Sequence, residues 1–573
     1  MRLGGPDRDG LPAHARRDPV GARIGGAKPL APFGVGAHGP ARFRKRRSSS
    51  CRVSAGTKGK GWDTICCRAA CALTVALTLF AAGCGSVSPK KRTAHGLHVA
   101  GSQAGGSLGH GRLVVDSHFR PARDGFGFEN YTDPPDRGEL GPAQMEDMFG
   151  KTVCSAIVAA VCTPTPEAEQ WIKQENKFMN EGHCFGFSLT SLMLFQGLLS
   201  RSTFEDVATT VLLKDSQQLE QRIAESWALQ DSSQVRKATI KGSPNDILDR
   251  LSAGLRSGSE TYTLAIYEGG EGHAVTPFAV EPRSGGVSAV LIYDNNAPRQ
   301  TRAVIFNRRR NTWSYELGEE NGKKVIWSGD AISESTELFP TSAAVGPQPW
   351  PISGSSQEIA LSSGATDHGH LLLTDARGRR TGFVGGHVVN EIPGARVLPR
   401  LLAQELGHPP EPRYVIPAGV EVSISLDGAN LRQPESEAMT VRGPTYDAVV
   451  GRIVLQPGEQ DHIHVAQGGT SVTYHAGASF SQAPHIEIGL NRSARDYKFS
   501  MSAPTLARGS AISMSAQPTS GELTVNATDV KSTGAYSLGV IQLPPSGRKI
   551  VTNRTVQIPS GSLQRLHFTP GRR

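Results

Sequence analysis

The sequence predicts a mixed α+β chain in which helices are followed by an antiparallel sheet, and then by an all-β, sandwich-like module. Three observations predict this. Gly (65) and Pro (37) are abundant among 573 residues, which favours short strands and turns over long helical bundles. Apolar residues recur at helical spacing up to about residue 257 and alternate at strand spacing beyond it. From residue 354 onward, turn signals return about every ten residues, the rhythm of a β-sandwich.

The chain opens with an address. Residues 1–60 hold 14 Lys/Arg against three Asp, including the run Arg42, Arg44, Lys45, Arg46 and Arg47, and so account for the whole net charge of +9. No basic excess remains beyond them, and no nucleic-acid partner is expected. Residues 69–82 form an uncharged apolar run. As a helix it spans ~21 Å, short for a ~30 Å hydrocarbon core and right for the apolar region of a signal peptide. It ends in Ala81-Ala82-Gly83-Cys84-Gly85-Ser86, small residues before a cysteine that resemble the bacterial lipobox. The expectation is a lipid on Cys84, anchoring the chain to the extracytoplasmic face of the cell membrane. Because a signal begins close to its apolar run, residues 1–68 are expected to be a basic, low-complexity extension from a misplaced start, followed by the signal's own basic region.

The rest divides by composition. Residues 85–125, rich in Gly, Ser, His, Lys and Arg, read as a flexible tether. A first domain is expected over 126–340, with helical patterns at 143–160, 167–179, 184–199, 204–213, 216–224 and 244–257. Strand-type runs follow at 261–267, 273–280, 287–293, 303–306 and 311–317. Residues 341–353 read as a Pro-rich linker, and 354–573 as the β-rich module. Its strands are expected at 371–374, 420–426, 448–455, 470–475, 485–490, 510–516, 523–527 and 556–559, with one helical stretch at 396–406.

Cysteine usage points to one residue. Of the eight cysteines, Cys51, Cys66, Cys67 and Cys71 lie in or before the signal, and Cys84 is the lipid site. In an oxidising compartment thiols tend to pair. Cys154 and Cys162 close an easy small loop as a disulfide, which leaves Cys184 alone. An odd cysteine in an exported protein is a reactive group or an intermolecular link, unless it is simply a small buried hydrophobe.

Its neighbours decide between these readings. In Asn180-Glu181-Gly182-His183-Cys184-Phe185-Gly186-Phe187-Ser188, Gly182 permits a sharp entry into a helix and sets Cys184 at the helix N-terminus. There the free N–H groups and dipole favour a negative sulfur. The Cys184 N–H also points where an oxyanion forms, and Asn180 offers a second donor. His183 adjoins the cysteine but is expected to point away. Gly269-Gly270-Glu271-Gly272-His273-Ala274-Val275 opens a strand with a histidine suited to general base and acid work. The next strand ends in Tyr293-Asp294-Asn295-Asn296-Ala297-Pro298. Antiparallel pairing brings Asp294, or one of the two asparagines, beside the imidazole to fix its tautomer.

Cysteine at a helix start, histidine on a strand and Asp/Asn on the next strand, in that order, resemble the papain-like cysteine peptidase superfamily. The likeness is in particular to bacterial cysteine-peptidase-like domains that carry Gly-His-Cys, Gly-His-Ala and Tyr-Asp-x-Asn-x-Pro segments. It covers roughly residues 145–310. The resemblance implies a papain-like fold and an acyl-thioester mechanism, with Cys184 as nucleophile, His273 as base, Asp294 as the orienting acid and Asn180 in the oxyanion hole. Papain-type enzymes use a Gln six positions before the cysteine, where this chain has Phe178. The implied substrate is a peptide, protein or cell-wall amide, acted on by hydrolysis or acyl transfer, with no cofactor. A surface interaction protein that kept this fold without turnover is the alternative.

Other chemistries lack support. Asp367-His368-Gly369-His370 and Asp461-His462-Ile463-His464 place alternate histidines on one side of a strand, but no third ligand stands at suitable spacing, so no metal is expected. There is no Walker loop, dinucleotide fingerprint or Gly-x-Ser-x-Gly elbow.

Overall fold

The computed structural model describes residues 115–569, apart from 133–138, 321–322, 353, 364–366, 402–409, 478–483, 493, 528–529 and 531–533. The basic extension, the signal run and Cys84 lie outside the described residues. Among the described residues the chain is mixed α+β and β-rich, with antiparallel sheets, and no helix is long and apolar enough to cross a membrane.

The first half contains β1 (Val115–Asp116), α1 (Pro121–Asp124), α2 (Pro142–Phe149), β2 (Cys154–Val158), β3 (Val161–Pro164), α3 (Pro166–Met179) and α4 (Cys184–Phe195). They are followed by α5 (Gln217–Ala228), α6 (Ser233–Ala238), β4 (Ile240–Lys241) and α7 (Pro244–Ser257). Then come β5 (Tyr262–Glu268), β6 (Glu271–Arg283), β7 (Val287–Tyr293), β8 (Thr301–Asn307), β9 (Thr312–Glu320), β10 (Lys323–Gly329) and β11 (Thr336–Pro340). One antiparallel sheet runs β10-β9-β8-β7-β6-β5-β11-β4, with β1 also paired to β6. Helix starts follow local chemistry. Thr165, Ser216 and Ser243 cap α3, α5 and α7 with their hydroxyls, and Pro166 and Pro244 occupy first-turn positions that need no N–H. Helix α4 is mostly apolar and buried on every side from Cys184 through Leu194, as expected of a helix enclosed by other elements.

Four expectations meet a different structure. The helical pattern at 143–160 stops at Phe149, because Cys154–Val158 and Val161–Pro164 pair as a hairpin. Ala159 and Ala160 turn it with positive φ (49° and 62°), and the Cys154–Cys162 disulfide closes it. The pattern at 204–213 yields only a short 3-10 turn, Thr210–Leu212, within a β-branched run that disfavours helix. The expected tether joins the fold by residue 115, since β1 pairs with β6 and Phe119 is buried. In the Pro-rich stretch, Ala343, Ala344 and Ile352 are buried and Trp350 packs edge-on against Phe149 and Trp171.

Beyond residue 355 two nine-stranded antiparallel sheets share one core that includes Leu371, Ile424, Val450, Phe499, Met514 and Val525. The stretch expected as helix at 396–406 begins instead as the strand Arg396–Leu398, and residues 402–409 lie outside the described residues. The sheets are bound to the first half by polar contacts. Helix α3 lies against them. Lys498 Nζ meets Glu169 at 2.7 Å, and Asn491 Nδ2 donates to Glu167 at 2.7 Å. Buried Arg413 meets Glu175 at 3.3 Å, Glu358 at 3.6 Å and also Asp231.

Candidate active site

The site forms where strand pairing stops. Strands β6 and β7 pair from Arg283↔Val287 down to Thr276↔Tyr293. Beyond Tyr293 the chain leaves the sheet, so one edge of β6 at Ala274 has no neighbouring strand. Two side chains take its place: Ala274 N donates to Cys184 Sγ at 3.3 Å, and Asn295 Nδ2 donates to Ala274 O at 2.9 Å and to Cys184 O at 3.1 Å. Buried backbone groups need partners, and here those partners are the candidate nucleophile and its neighbour.

Cys184 is the first residue of α4 and its thiol is free. Gly182, at φ 129°, makes the turn out of α3 that a side chain would strain. One turn along α4, Ser188 Oγ meets Thr263 at 2.9 Å and Thr276 at 2.8 Å, fastening the helix to β5 and β6. The sulfur therefore sits at the positive end of a helix held against the sheet.

His273 and Asp294 meet as the sequence expects, with Nε2 2.9 Å from Oδ1. His273 Nδ1 makes no full hydrogen bond, yet the Cys184 thiol lies near enough to act on the imidazole. Burial alone pulls this imidazole down. The Asp294 carboxylate and the Cys184 side chain outweigh it and hold His273 up to about 10. Burial pushes Asp294 the other way, but His273, Arg302 and Tyr315 win and hold its carboxyl well below the ordinary range. Arg302 Nη1 reaches Asp294 Oδ2 at 3.2 Å, the Tyr315 hydroxyl donates to the same oxygen, and Asn296 N donates to Oδ1 at 2.9 Å.

His183 has the expected orientation, whereas Asn180 does not join the cluster. His183 points away from the sulfur, with its ring between Tyr131 O (3.1 Å) and Glu139 (2.7 Å). Asn180 is half-buried at the C-terminal end of α3. Among the described residues its side chain makes no hydrogen bond to the cysteine, histidine or aspartate.

Sequence reading missed Arg302 and Tyr315. The signal was there: Arg302 is in phase with Val304 and Phe306, and a charge on the apolar face of a strand calls for a buried partner. It also missed the covering of the site. Cys184 and His273 are 0% exposed. Residues 399–401 from the β-rich half lie beside them. Arg400 O comes so near Gly272 that a Cβ there would stand 2.6 Å from it. Both polar backbone groups of Leu401 are held, its O by Trp227 Nε1 (2.9 Å) and its N by Gln230 Oε1 (3.2 Å). The Leu401 side chain joins the core cluster that contains Cys184, Ala274 and Trp227. The Arg400 guanidinium is buried on the Phe178 ring, with no hydrogen-bond partner for its three nitrogens among the described residues.

No known protein family, curated protein or solved structure matches this chain.

Proposed function

We propose that this chain is a cysteine-dependent amide or peptide hydrolase, or an acyl transferase, built on a papain-like arrangement. It would be exported and held at the cell membrane by a lipid on Cys84. The observation that carries the reading is the junction at Ala274. A lone thiol at a helix start accepts the Ala274 N–H, while the preceding residue, His273, is locked to a buried carboxylate at 2.9 Å.

Chemistry follows from those positions. The Cys184 sulfur attacks the substrate carbonyl, and the Cys184 N–H, with Asn180 as the second candidate donor, faces the oxyanion. His273 hands a proton to the leaving amine, which breaks the C–N bond and leaves a thioester. A water or a second amine then gives its proton to His273, attacks the thioester and frees the sulfur. Asp294 keeps the Nε2–H in place so that Nδ1 faces the reaction, and Arg302 and Tyr315 keep Asp294 charged. The β-rich half would set the enzyme against a protein, peptide or cell-wall surface. Residues 399–401 would cover the site in its resting state and move aside for substrate.

The full burial of Cys184 and His273 favours a second reading, a non-catalytic surface interaction protein. Alkylation of Cys184 by iodoacetamide, followed by intact mass in a Leu401→Ala background, separates the two. The enzymatic reading expects His273→Ala to slow labelling at neutral pH at least about tenfold, because an adjacent imidazolium activates sulfur. Equal rates with and without His273, at the level of a free model thiol, refute it.

A further inference from the structure

The histidines of Asp367-His368-Gly369-His370 play no part in the triad, and no third ligand stands near them in sequence. The fold supplies one. His368 and His370 lie at the start of the strand His370–Asp375, in one sheet of the β-rich half. Glu411 lies just before the strand Arg413–Pro417 of the other sheet. One ligand-capable atom from each of the three lies within 4.8 Å of the other two.

Each group is oriented from behind, as metal ligands generally are. His368 Nδ1 lies 2.7 Å from Gly369 O. A carbonyl only accepts, so Nδ1 carries a proton and Nε2 is the nitrogen that remains as the ligand-capable atom. The His370 ring stacks on Phe383 at 3.7 Å, and its Nδ1 is 2.9 Å from Glu411 Oε2. The other oxygen of Glu411 is fixed by Leu371 N at 2.8 Å and Tyr414 OH at 2.7 Å. Glu437 repeats the pattern: Oε1 accepts Gly369 N at 2.8 Å, while Oε2, on a residue only 1% exposed, has no hydrogen-bond partner among the described residues. This buried carboxylate oxygen without a partner, on the strand Glu435–Gly443 whose Glu437 holds the loop between the two histidines, is one that a cation would satisfy. A small cavity of about 20 Å³, room for a single ion or water, lies beside His368 and Glu411, bounded also by Glu181 and Lys177.

We infer that His368, His370 and Glu411 hold a divalent transition-metal ion of the zinc class, with Glu437 as the nearby carboxylate that balances its charge. Two imidazoles and a carboxylate suit zinc, cobalt or nickel, whereas calcium and magnesium ask for a shell of oxygens. Two neutral histidines, two carboxylates and a dication sum to zero, which is what a low-dielectric site requires. The ion clamps the two sheets together at the end where they meet α3. This site is independent of the cysteine chemistry.

Cobalt(II) is the test, because it fills zinc sites and reports a low-coordinate nitrogen/oxygen shell through its visible absorption. The full chain, treated with chelator and carrying Cys184→Ser to silence the thiol, is titrated with Co²⁺ alone and then competed with Zn²⁺. One equivalent of bound cobalt, displaced by zinc, is expected. His370→Ala and the isosteric Glu411→Gln should each weaken binding at least tenfold, while His462→Ala, in the other His-x-His segment, leaves it unchanged. Circular dichroism confirms that each variant is folded, and His368→Asn, at a half-buried position, serves if either fails to fold. No stoichiometric binding at micromolar cobalt, unchanged affinity in the folded His370, Glu411 or His368 variants, or equal loss in His462→Ala overturns the site and leaves His370–Glu411 a buried ion pair.

Discussion

If residues 399–401 cover the candidate nucleophile, loosening them must uncover Cys184 by a calculable amount. Leu401 is 0% exposed and shares its core cluster with Cys184 and Trp227. Leu401→Ala keeps both backbone hydrogen bonds to Trp227 and Gln230 and removes only the buried side chain. Truncating a buried leucine costs ~2–5 kcal/mol. In the opened state Leu401 is in water, so the loss falls almost wholly on the closed state. At ~1.4 kcal/mol per factor of ten, the open fraction rises by a factor between roughly 30 and 3,000. The assay is iodoacetamide labelling of Cys184 in the folded full chain, read by intact mass, with each rate divided by that of the denatured protein. A rise of at least about thirtyfold over wild type is expected, with the thermal transition still cooperative. Labelling within threefold of wild type in a folded Leu401→Ala would refute the covering role and leave Leu401 an ordinary core residue.

Two further outcomes follow from the buried charges. Arg413→Met leaves Glu175 and Asp231 buried without their cation. Breaking such a pair from one side costs ~3–5 kcal/mol, so the melting temperature should fall by several degrees, and a variant that melts with wild type contradicts this account of the interface. The second concerns pH. His273 is held up to about 10, above ~6.5 in an unfolded chain, so its contribution is complete below pH ~6.5 and fades as pH climbs toward 10. Asp294 is held low, so its contribution is complete above pH ~4 and fades as pH falls further. The gap in melting temperature between wild type and Asp294→Asn should therefore be widest between about pH 4 and 6.5 and narrow by pH 9.5. A gap that widens over that alkaline range overturns the pairing.

What the sequence made legible was local. Pro244–Ser257 carries a Ser-Pro start and an Asp in its first turn, and the helix has those bounds. Val287–Tyr293, a near-continuous apolar run, and His485–Leu490, which alternates over its first four residues, have the expected bounds. The order helix, strand, strand, with a turn of a few residues between the last two, was enough to bring Cys184, His273 and Asp294 into one neighbourhood. What stayed hidden depends on contacts distant in the chain. Arg302 and Tyr315 reach Asp294 across two further strands, and Glu411 reaches His370 from 41 residues away in the opposite sheet. Residues 396–406 read as helix, yet both backbone groups of Leu401 are taken by Trp227 and Gln230, more than 170 positions earlier. Tertiary partners outbid local propensity in that stretch.

The register of β6 and β7 gives a physical reason for the chain order at the site. Strand β7 stops pairing one residue before Asp294, so the loop it releases runs past Ala274, and the first side chain able to replace a ladder bond there is Asn295. The remaining orphan, the Ala274 N–H, needs an acceptor from the element packed on that edge, and α4 presents Cys184. Because side chains alternate along a strand, His273 leaves β6 on the other side from Ala274, where Asp294 follows the end of β7. A sulfur fixed to the backbone of one residue and a carboxylate fixed to the side chain of the residue before it are thus the two products of a single early strand ending. Extending the β6–β7 ladder by two residues would satisfy Ala274 within the sheet and displace both. The early ending therefore costs two strand hydrogen bonds, and the return is a polarised thiol beside an imidazole. That exchange is hard to account for by packing alone, since any two apolar residues paired in register would have filled the same space at lower cost.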